Sequence, residues 1–282
     1  MRPSLDVAAA DAYCGELAGR HYENFTVASR VLQTGLRRDL ARIYAYCRTT
    51  DDLGDETGAE ALGRLERWRG EVLDLFAGRP PAHPVLLALR DTVARLDLPA
   101  QPFLDLIQAN VQDQTVSRYA TWADLRAYCM LSAAPVGRLV LRVFGVTAPE
   151  AEPLSDDVCI GLQIANFAQD VSVDARKGRC YLLQADLETG GIAGATRAHC
   201  ERARSLLASG RGLERLVPWA LRLQLALYRL GGLAIVDAVA RRGYRTDLCR
   251  PRVAGPVRVL VLARAVRQSL RPMRNAGAVE AA

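Results

Sequence analysis

The sequence predicts an all-α fold, and three observations carry that expectation. Apolar residues recur at three- and four-residue steps along nearly the whole chain. Alanine, leucine and arginine, all strong helix formers, dominate it. Alternating apolar and polar runs of the strand kind are nearly absent. The chain has 282 residues and half of them are apolar, so it can bury a sizeable core; a chain of this length buries roughly three-quarters of its unfolded surface.

Breaks between the helices fall at Gly78–Pro84, Leu98–Pro102, Val146–Pro153, Glu188–Gly194 and Ser209–Gly212. Glycine frees the backbone there and proline removes a helix donor. All are short, as links between packed helices are. No repeat, low-complexity tract or long linker interrupts the pattern. A single domain over residues 1–282 is therefore expected, with 1–15 and 275–282 peripheral or frayed.

The formal net charge is +6, and Lys177 is the sole lysine among 37 basic residues. Arginine suits phosphate contact, because its planar fork grips two oxygens at once. No dense basic run with interleaved aromatics appears, which argues against nucleic acid as a partner. The seven cysteines are widely spaced without a C-x-x-C pair. That argues against zinc and against a disulfide framework, and fits a reducing cytoplasm. Asp6, Asp11 and Glu16 interrupt the N-terminus, which is unlike a signal peptide. The apolar stretches Arg138–Val146 and Val257–Val266 are broken by arginines and fall short of the roughly 18 uncharged residues of a membrane span. The expectation is a soluble cytoplasmic protein, with peripheral contact at the inner face of the membrane left open.

Two carboxylate patterns stand out. In Tyr44-Ala-Tyr-Cys-Arg48-Thr-Thr-Asp51-Asp52-Leu-Gly-Asp55, each residue turns about 100° around a helix. Tyr44, Arg48, Asp51, Asp52 and Asp55 then share one face, with Asp51 and Asp55 one turn apart. In Gln163-Ile-Ala-Asn166-Phe-Ala-Gln-Asp170-Val-Ser-Val-Asp174, the steps of three, four and four make a second polar stripe on a helix predicted to be central. An isolated pair of this kind marks a solvated face with ion pairs more often than a site. Two such pairs, each on an otherwise apolar helix, favour a shared site, because unpaired buried carboxylates are costly. Carboxylate oxygens suit Mg²⁺, which keeps several waters and bridges to substrate phosphates. Such a pair of clusters could grip a diphosphate and help it leave, above a dry cavity that shields the resulting cation.

Other chemistries fit less well. A di-iron bundle needs Glu-x-x-His, and His21, His83 and His199 have Ala18, Pro80 and Thr196 three residues before them. No G-x-G-x-x-G dinucleotide fingerprint is present. From spacing alone His21 reads as a core histidine, Tyr44, Tyr46 and Tyr128 as packing residues, and Arg176, Lys177 and Arg179 as a basic turn placed directly after the second stripe.

These segments resemble the squalene/phytoene synthase family over about His21 to Arg267. The resemblance rests on His21-Tyr-Glu-Asn-Phe25, on Tyr44 through Asp55, on Tyr128-Cys-Met-Leu-Ser-Ala-Ala-Pro-Val-Gly137, and on Gln163 through Asp174 leading into Lys177-Gly-Arg179-Cys-Tyr181. Tyr22 through Ser29, Pro135-Val-Gly-Arg138 and Asn166 through Asp174 are most similar to its hydroxysqualene synthase branch. The resemblance implies a single-domain class I isoprenoid synthase bundle with a central cavity and a prenyl diphosphate substrate, presqualene or farnesyl diphosphate. It implies Mg²⁺ held by Asp51 and Asp55 on one side and by Asn166, Asp170 and Asp174 on the other, with NADPH not expected. Tyr44 and Arg48 would contact the diphosphate, and Asp52 would support the metal or join its ligands. His21, Asn24, Phe25, Tyr128, Gln163, Lys177, Arg179, Tyr181 and Tyr244 would line the substrate pocket. The sequence departs from the family pattern at Ala168, Gln169, Val173 and Leu183. Asp113, with Arg118 and Tyr119, matches it only loosely.

Overall fold

The computed structural model describes residues 6–21, 32–55 and 59–270. Among them are the helices α1 (Val7–His21), α2 (Thr34–Asp55), α3 (Ala59–Phe76), α4 (Pro84–Leu96), α5 (Gln101–Gln112), α6 (Trp122–Ser132), α7 (Ala134–Val143), α8 (Ala151–Gln169), α9 (Val171–Arg176), α10 (Gln184–Ser209), α11 (Trp219–Arg241) and α12 (Gly255–Ser269). The described residues include no strand; Arg118 and Cys180 form one isolated parallel bridge. The all-α class is the one the sequence predicted.

Local chemistry sets the helix ends. His83 caps α4 by accepting from the Val85 amide at 3.2 Å, just ahead of Pro84 in the first turn. Thr121 and Asp124 form a reciprocal capping box on α6. The predicted break at Glu188–Gly194 is a kink inside α10, where Gly191 takes φ 58°, a left-handed conformation that favours glycine.

Two packed halves share the core. In the first, α1, α2, α3 and α4 enclose Ile43, Tyr46, Trp68, Leu86 and Phe103. Tyr46 is fully buried, and its hydroxyl donates to the Phe103 carbonyl at 2.8 Å. A buried ionic knot ties α1, α2 and α4 together. Arg42, 1% exposed, bonds Asp11 and Asp91 at 2.7 Å each, and Thr92 passes a further bond to buried Asp39 at 2.8 Å. In the second half α8 is central, packed by α7, α10 and α11. Ile160, Ile164, Ala165, Phe167 and Ala168 of α8 are all buried, as its apolar faces predicted.

Two sequence expectations are corrected. The second polar stripe does not lie on one continuous helix: α8 ends at Gln169, Asp170 sits at φ −101° and ψ 14°, and α9 restarts at Val171. The segment after α11 explains the break. Gln169 Nε2 donates to the Pro251 carbonyl at 2.7 Å, Thr246 Oγ1 to the Ala168 carbonyl at 2.8 Å, and the Ser172 amide to the Thr246 carbonyl at 3.2 Å. These bonds clamp the chain on both sides of Asp170. The longest apolar helix is α11, not either stretch singled out from sequence. It is long and apolar enough to cross a membrane, but 56% of its apolar window is buried within the fold, as in a core helix.

Candidate active site

The Asp-rich end of α2 is built by close approach to α5. A Cβ on Gly54 would collide with the Asn110 side chain, so only glycine lets these helices meet. Asn110 Nδ2 then donates to Asp51 at 3.2 Å, and Gln114 Nε2 to the Gly54 carbonyl at 2.9 Å. Arg48 pairs with Asp52 one turn away at 2.5 Å, while its buried Nε has no hydrogen-bond partner among the described residues. Tyr44, half-buried, lies within electrostatic reach of Arg48, Asp51 and Asp52.

Asp51 is open to solvent yet densely surrounded by protein, as a residue in the wall of a recess is. That crowding, opposed by Asn110 and reinforced by the Asp55 carboxylate, pushes its pKa up to about 6. The second carboxylate group shows the same signature. Burial and the neighbouring Asp170 push Asp174 up to about 6. Asn166 is exposed although Ala165, Phe167 and Ala168 beside it are buried, so α8 has one open side at this position. Gln163, one turn before it, is half-buried.

A strap from Lys177 to Leu183 joins the two groups. Lys177 Nζ lies 3.4 Å from both Asp55 oxygens, and Arg179 lies 3.6 Å from Asp55 and 3.9 Å from Asp113. Lys177 and Arg179 thus lie between Asp55 of α2 on one side and, through their electrostatic influence, Asp174 of α9 on the other. Lys177, in an exposed turn, and half-buried Arg179 both pair with Asp55, and Arg179 also reaches Asp113.

Asp113, which the sequence matched to the family only loosely and left out of the site set, is the hub beneath the strap. It accepts from the Tyr128 hydroxyl at 2.8 Å and from the Tyr181 hydroxyl at 3.1 Å. Burial raises its pKa, with Arg179 and the two hydroxyls pulling the other way. Tyr181 stacks on Phe167 at 3.9 Å and lies beside Tyr119 and Tyr128, so a wall of buried aromatics backs the charged layer. His199 fixes the strap from behind: its Nε2 donates to the Tyr181 carbonyl at 3.0 Å, and burial lowers its pKa to about 4. The one available signal for Asp113 was its position near Arg118 and Tyr119.

Other predicted residues are placed less directly. Tyr244 has φ 61°, packs at the edge of the aromatic cluster, and carries Arg197 4.9 Å above its ring. Asp170 is held by Arg250, with the second guanidinium nitrogen 3.1 Å from its Oδ2; nothing in the sequence linked these two. His21 closes α1, but its side chain, with Asn24 and Phe25, lies outside the described residues.

The donor set fits Mg²⁺ in kind. Asp51, Asp55, Asn166, Asp170 and Asp174 offer only oxygen ligands, and crowded carboxylates with raised pKa values are relieved by a cation. No three such groups among the described residues enclose a metal by themselves.

An all-helical bundle with carboxylates on two facing helices defines the class I isoprenoid synthase fold. A dehydrosqualene synthase shares this fold at a TM-score of 0.84 over 93% of this chain and 96% of its own, with 21% identity. The squalene synthase HpnC from Alicyclobacillus acidocaldarius is similar at 42% identity and a TM-score of 0.80, covering 86% of this chain and 97% of that one. Phytoene synthase 2 of Solanum lycopersicum is 30% identical over 94% of this chain and 93% of its own. The 15-cis-phytoene synthase of Synechococcus elongatus is 30% identical, covering 90% and 92%. The squalene/phytoene synthase family model matches residues 18–259. The chain belongs to the squalene/phytoene synthase family and is an enzyme of that family.

Proposed function

We infer that this enzyme ionises presqualene diphosphate and captures the cation with water, giving hydroxysqualene and diphosphate. The observation that carries an ionising site is the convergence of Asp51 and Asp55 with Asp170 and Asp174 around Lys177 and Arg179. Asp51 and Asp55 would hold Mg²⁺ from one side, and Asn166, Asp170 and Asp174 from the other. Bound Mg²⁺ would supply Lewis-acid neutralisation of the departing oxygens.

The chain's own residues do the rest. Arg48, whose buried Nε lacks a partner among the described residues, would donate to a diphosphate oxygen beside Tyr44. Lys177 and Arg179 would turn from Asp55 to the diphosphate and help close the strap over it. The carbon–oxygen bond breaks with its electron pair leaving on the diphosphate. The aromatic wall of Phe167, Tyr181 and Tyr128 would face the carbon cation with π-electrons and little water. One water adds its oxygen to the rearranged cation and releases one proton. The branch assignment leans on the motifs around Tyr22–Ser29 and Asn166–Asp174, together with 42% identity to a squalene synthase.

The second reading is head-to-head condensation of two prenyl diphosphates, favoured by 30% identity to phytoene synthases along most of the chain. One experiment separates them. The purified protein is incubated with Mg²⁺ and presqualene diphosphate without NADPH, and in parallel with farnesyl or geranylgeranyl diphosphate, and the lipids are read by mass spectrometry. Hydroxysqualene in the first tube supports the leading reading. Presqualene diphosphate or phytoene only in the second overturns it in favour of condensation.

A further inference from the structure

The Asp170 carboxylate carries a guanidinium on both of its oxygens. Arg250 Nε donates to Oδ1, and Nη2 donates to Oδ2 at 3.1 Å. This fork takes one lone pair of each oxygen, the acceptor positions a divalent cation would compete for. The nearby Asp174 carboxylate adds to the attraction. The backbone keeps Arg250 in place. Gln169 Nε2 donates to the Pro251 carbonyl, Thr246 Oγ1 to the Ala168 carbonyl, and the Ser172 amide to the Thr246 carbonyl. Residues on either side of Arg250 are thus tied to residues on either side of Asp170. These three bonds hold the segment without help from the ion pair. The side chain is freer: that of Arg250 is 49% exposed, against 23% for Asp170. Among the described residues Arg250 makes no other hydrogen bond or ion pair. Its anchor is fixed, and its head can swing into water without breaking a second contact.

We propose that Arg250 is a latch on metal loading: it grips Asp170 by both oxygens, and a divalent cation takes that carboxylate only as the guanidinium lets go. The proposal rests on the reading of Asp170 as a metal ligand. Asp170 and Asp174 repel one another at the α8–α9 junction. A guanidinium on Asp170 relieves that repulsion at low cation concentration. A cation that binds there relieves it instead, but must first displace the fork. The latch therefore sets a threshold: cation affinity is lower than the same carboxylates would show without Arg250. It also links the site to the 246–251 segment, because loading Asp170 frees the Arg250 side chain.

The test is Mn²⁺ binding to the full chain without substrate, read from the electron paramagnetic resonance signal of free Mn²⁺. Wild type, Arg250→Gln, Asp170→Asn and the double variant are compared. Arg250→Gln should bind Mn²⁺ about 5-fold more tightly, the upper end for a half-exposed ion pair. Asp170→Asn should bind it more weakly. Adding Arg250→Gln to Asp170→Asn should change little, because the latch acts through that carboxylate. The melting temperature of Arg250→Gln in EDTA should stay near the wild-type value, since the three bonds of the clamp remain. Arg250→Lys keeps the charge without the fork and should fall between wild type and Arg250→Gln; it carries the test if the glutamine variant does not fold. Unchanged or weaker Mn²⁺ binding on loss of the fork, or an equal gain in the Asp170→Asn background, overturns the latch and leaves the metal reading standing. Undiminished Mn²⁺ binding in Asp170→Asn overturns both.

Discussion

Lys177 Nζ sits 3.4 Å from both carboxylate oxygens of Asp55, a residue 122 positions earlier in the chain. This contact closes the strap against the Asp-rich end of α2.

The metal assignment makes the first prediction. Asp51→Asn and Asp170→Asn each remove a charge while keeping the shape. Turnover should fall by at least about 100-fold, the scale of losing one strong electrostatic contact in a site. The far-ultraviolet circular dichroism should stay helical. Full activity in either variant, measured at saturating Mg²⁺, would remove that residue from the ligand set.

The second concerns Gly54, which alone lets α2 approach Asn110. Gly54→Ala should push Asn110 away and loosen its bond to Asp51. The overpacking should cost about 1–3 kcal/mol in denaturant unfolding. The Mg²⁺ concentration for half-maximal activity should rise. An alanine variant with unchanged stability and unchanged Mg²⁺ response would show that the two helices separate freely.

The third is a pH dependence. Asp51 and Asp174 are raised from 3.8 to about 6. Between those values the folded protein holds protons that the unfolded chain has lost. Their contribution to stability is therefore fully present below about pH 4 and disappears as pH rises through about 6. In the metal-free protein, the melting temperature should fall from about pH 5 to about pH 7 more steeply than in an Asp51→Asn/Asp174→Asn double variant. Added Mg²⁺ should stabilise the wild type more at the higher pH, where it no longer competes with protons. Parallel melting curves for wild type and double variant would contradict both raised values.

The fourth tests the hub beneath the strap. Asp113→Ala strands the buried hydroxyls of Tyr128 and Tyr181 and should destabilise the fold by about 1–3 kcal/mol. Activity should fall further than stability explains, because Arg179 loses one of its two carboxylates. Activity loss that merely tracks unfolding would leave Asp113 a structural residue.

Much of this was legible in the sequence because it is local. Helical periodicity, the Gly- and Pro-bearing breaks and both Asp stripes need only a few neighbouring residues to read. The break at Asp170 was not legible. No glycine or proline marks it, and its cause is a clamp from Thr246 and Pro251, about 80 residues away in the chain. The departure at Gln169 becomes intelligible for the same reason: its amide serves the Pro251 carbonyl in a buried position. Asp113 was noted only as a loose match because its partners, Tyr128 and Tyr181, come from separate elements. The Arg42 knot escaped for the same reason, since Asp11, Asp39 and Asp91 meet only in three dimensions. The helix α12 was read only as an apolar stretch broken by arginines, because its packed side emerges once Ala265 and Ser269 are seen to be buried.

The clamp at the α8–α9 junction also constrains recombination between relatives. Residues 168–172 and 246–251 are joined by three hydrogen bonds outside the ion pair of Asp170 and Arg250. A chimera with a crossover between these segments must take both from one parent or from parents that share them. Splicing in a foreign C-terminal portion that lacks Thr246 would otherwise leave the Ala168 carbonyl without its hydroxyl donor, next to the carboxylate proposed to hold the metal. Domain-shuffling libraries in this family should therefore treat the two segments as one inherited unit.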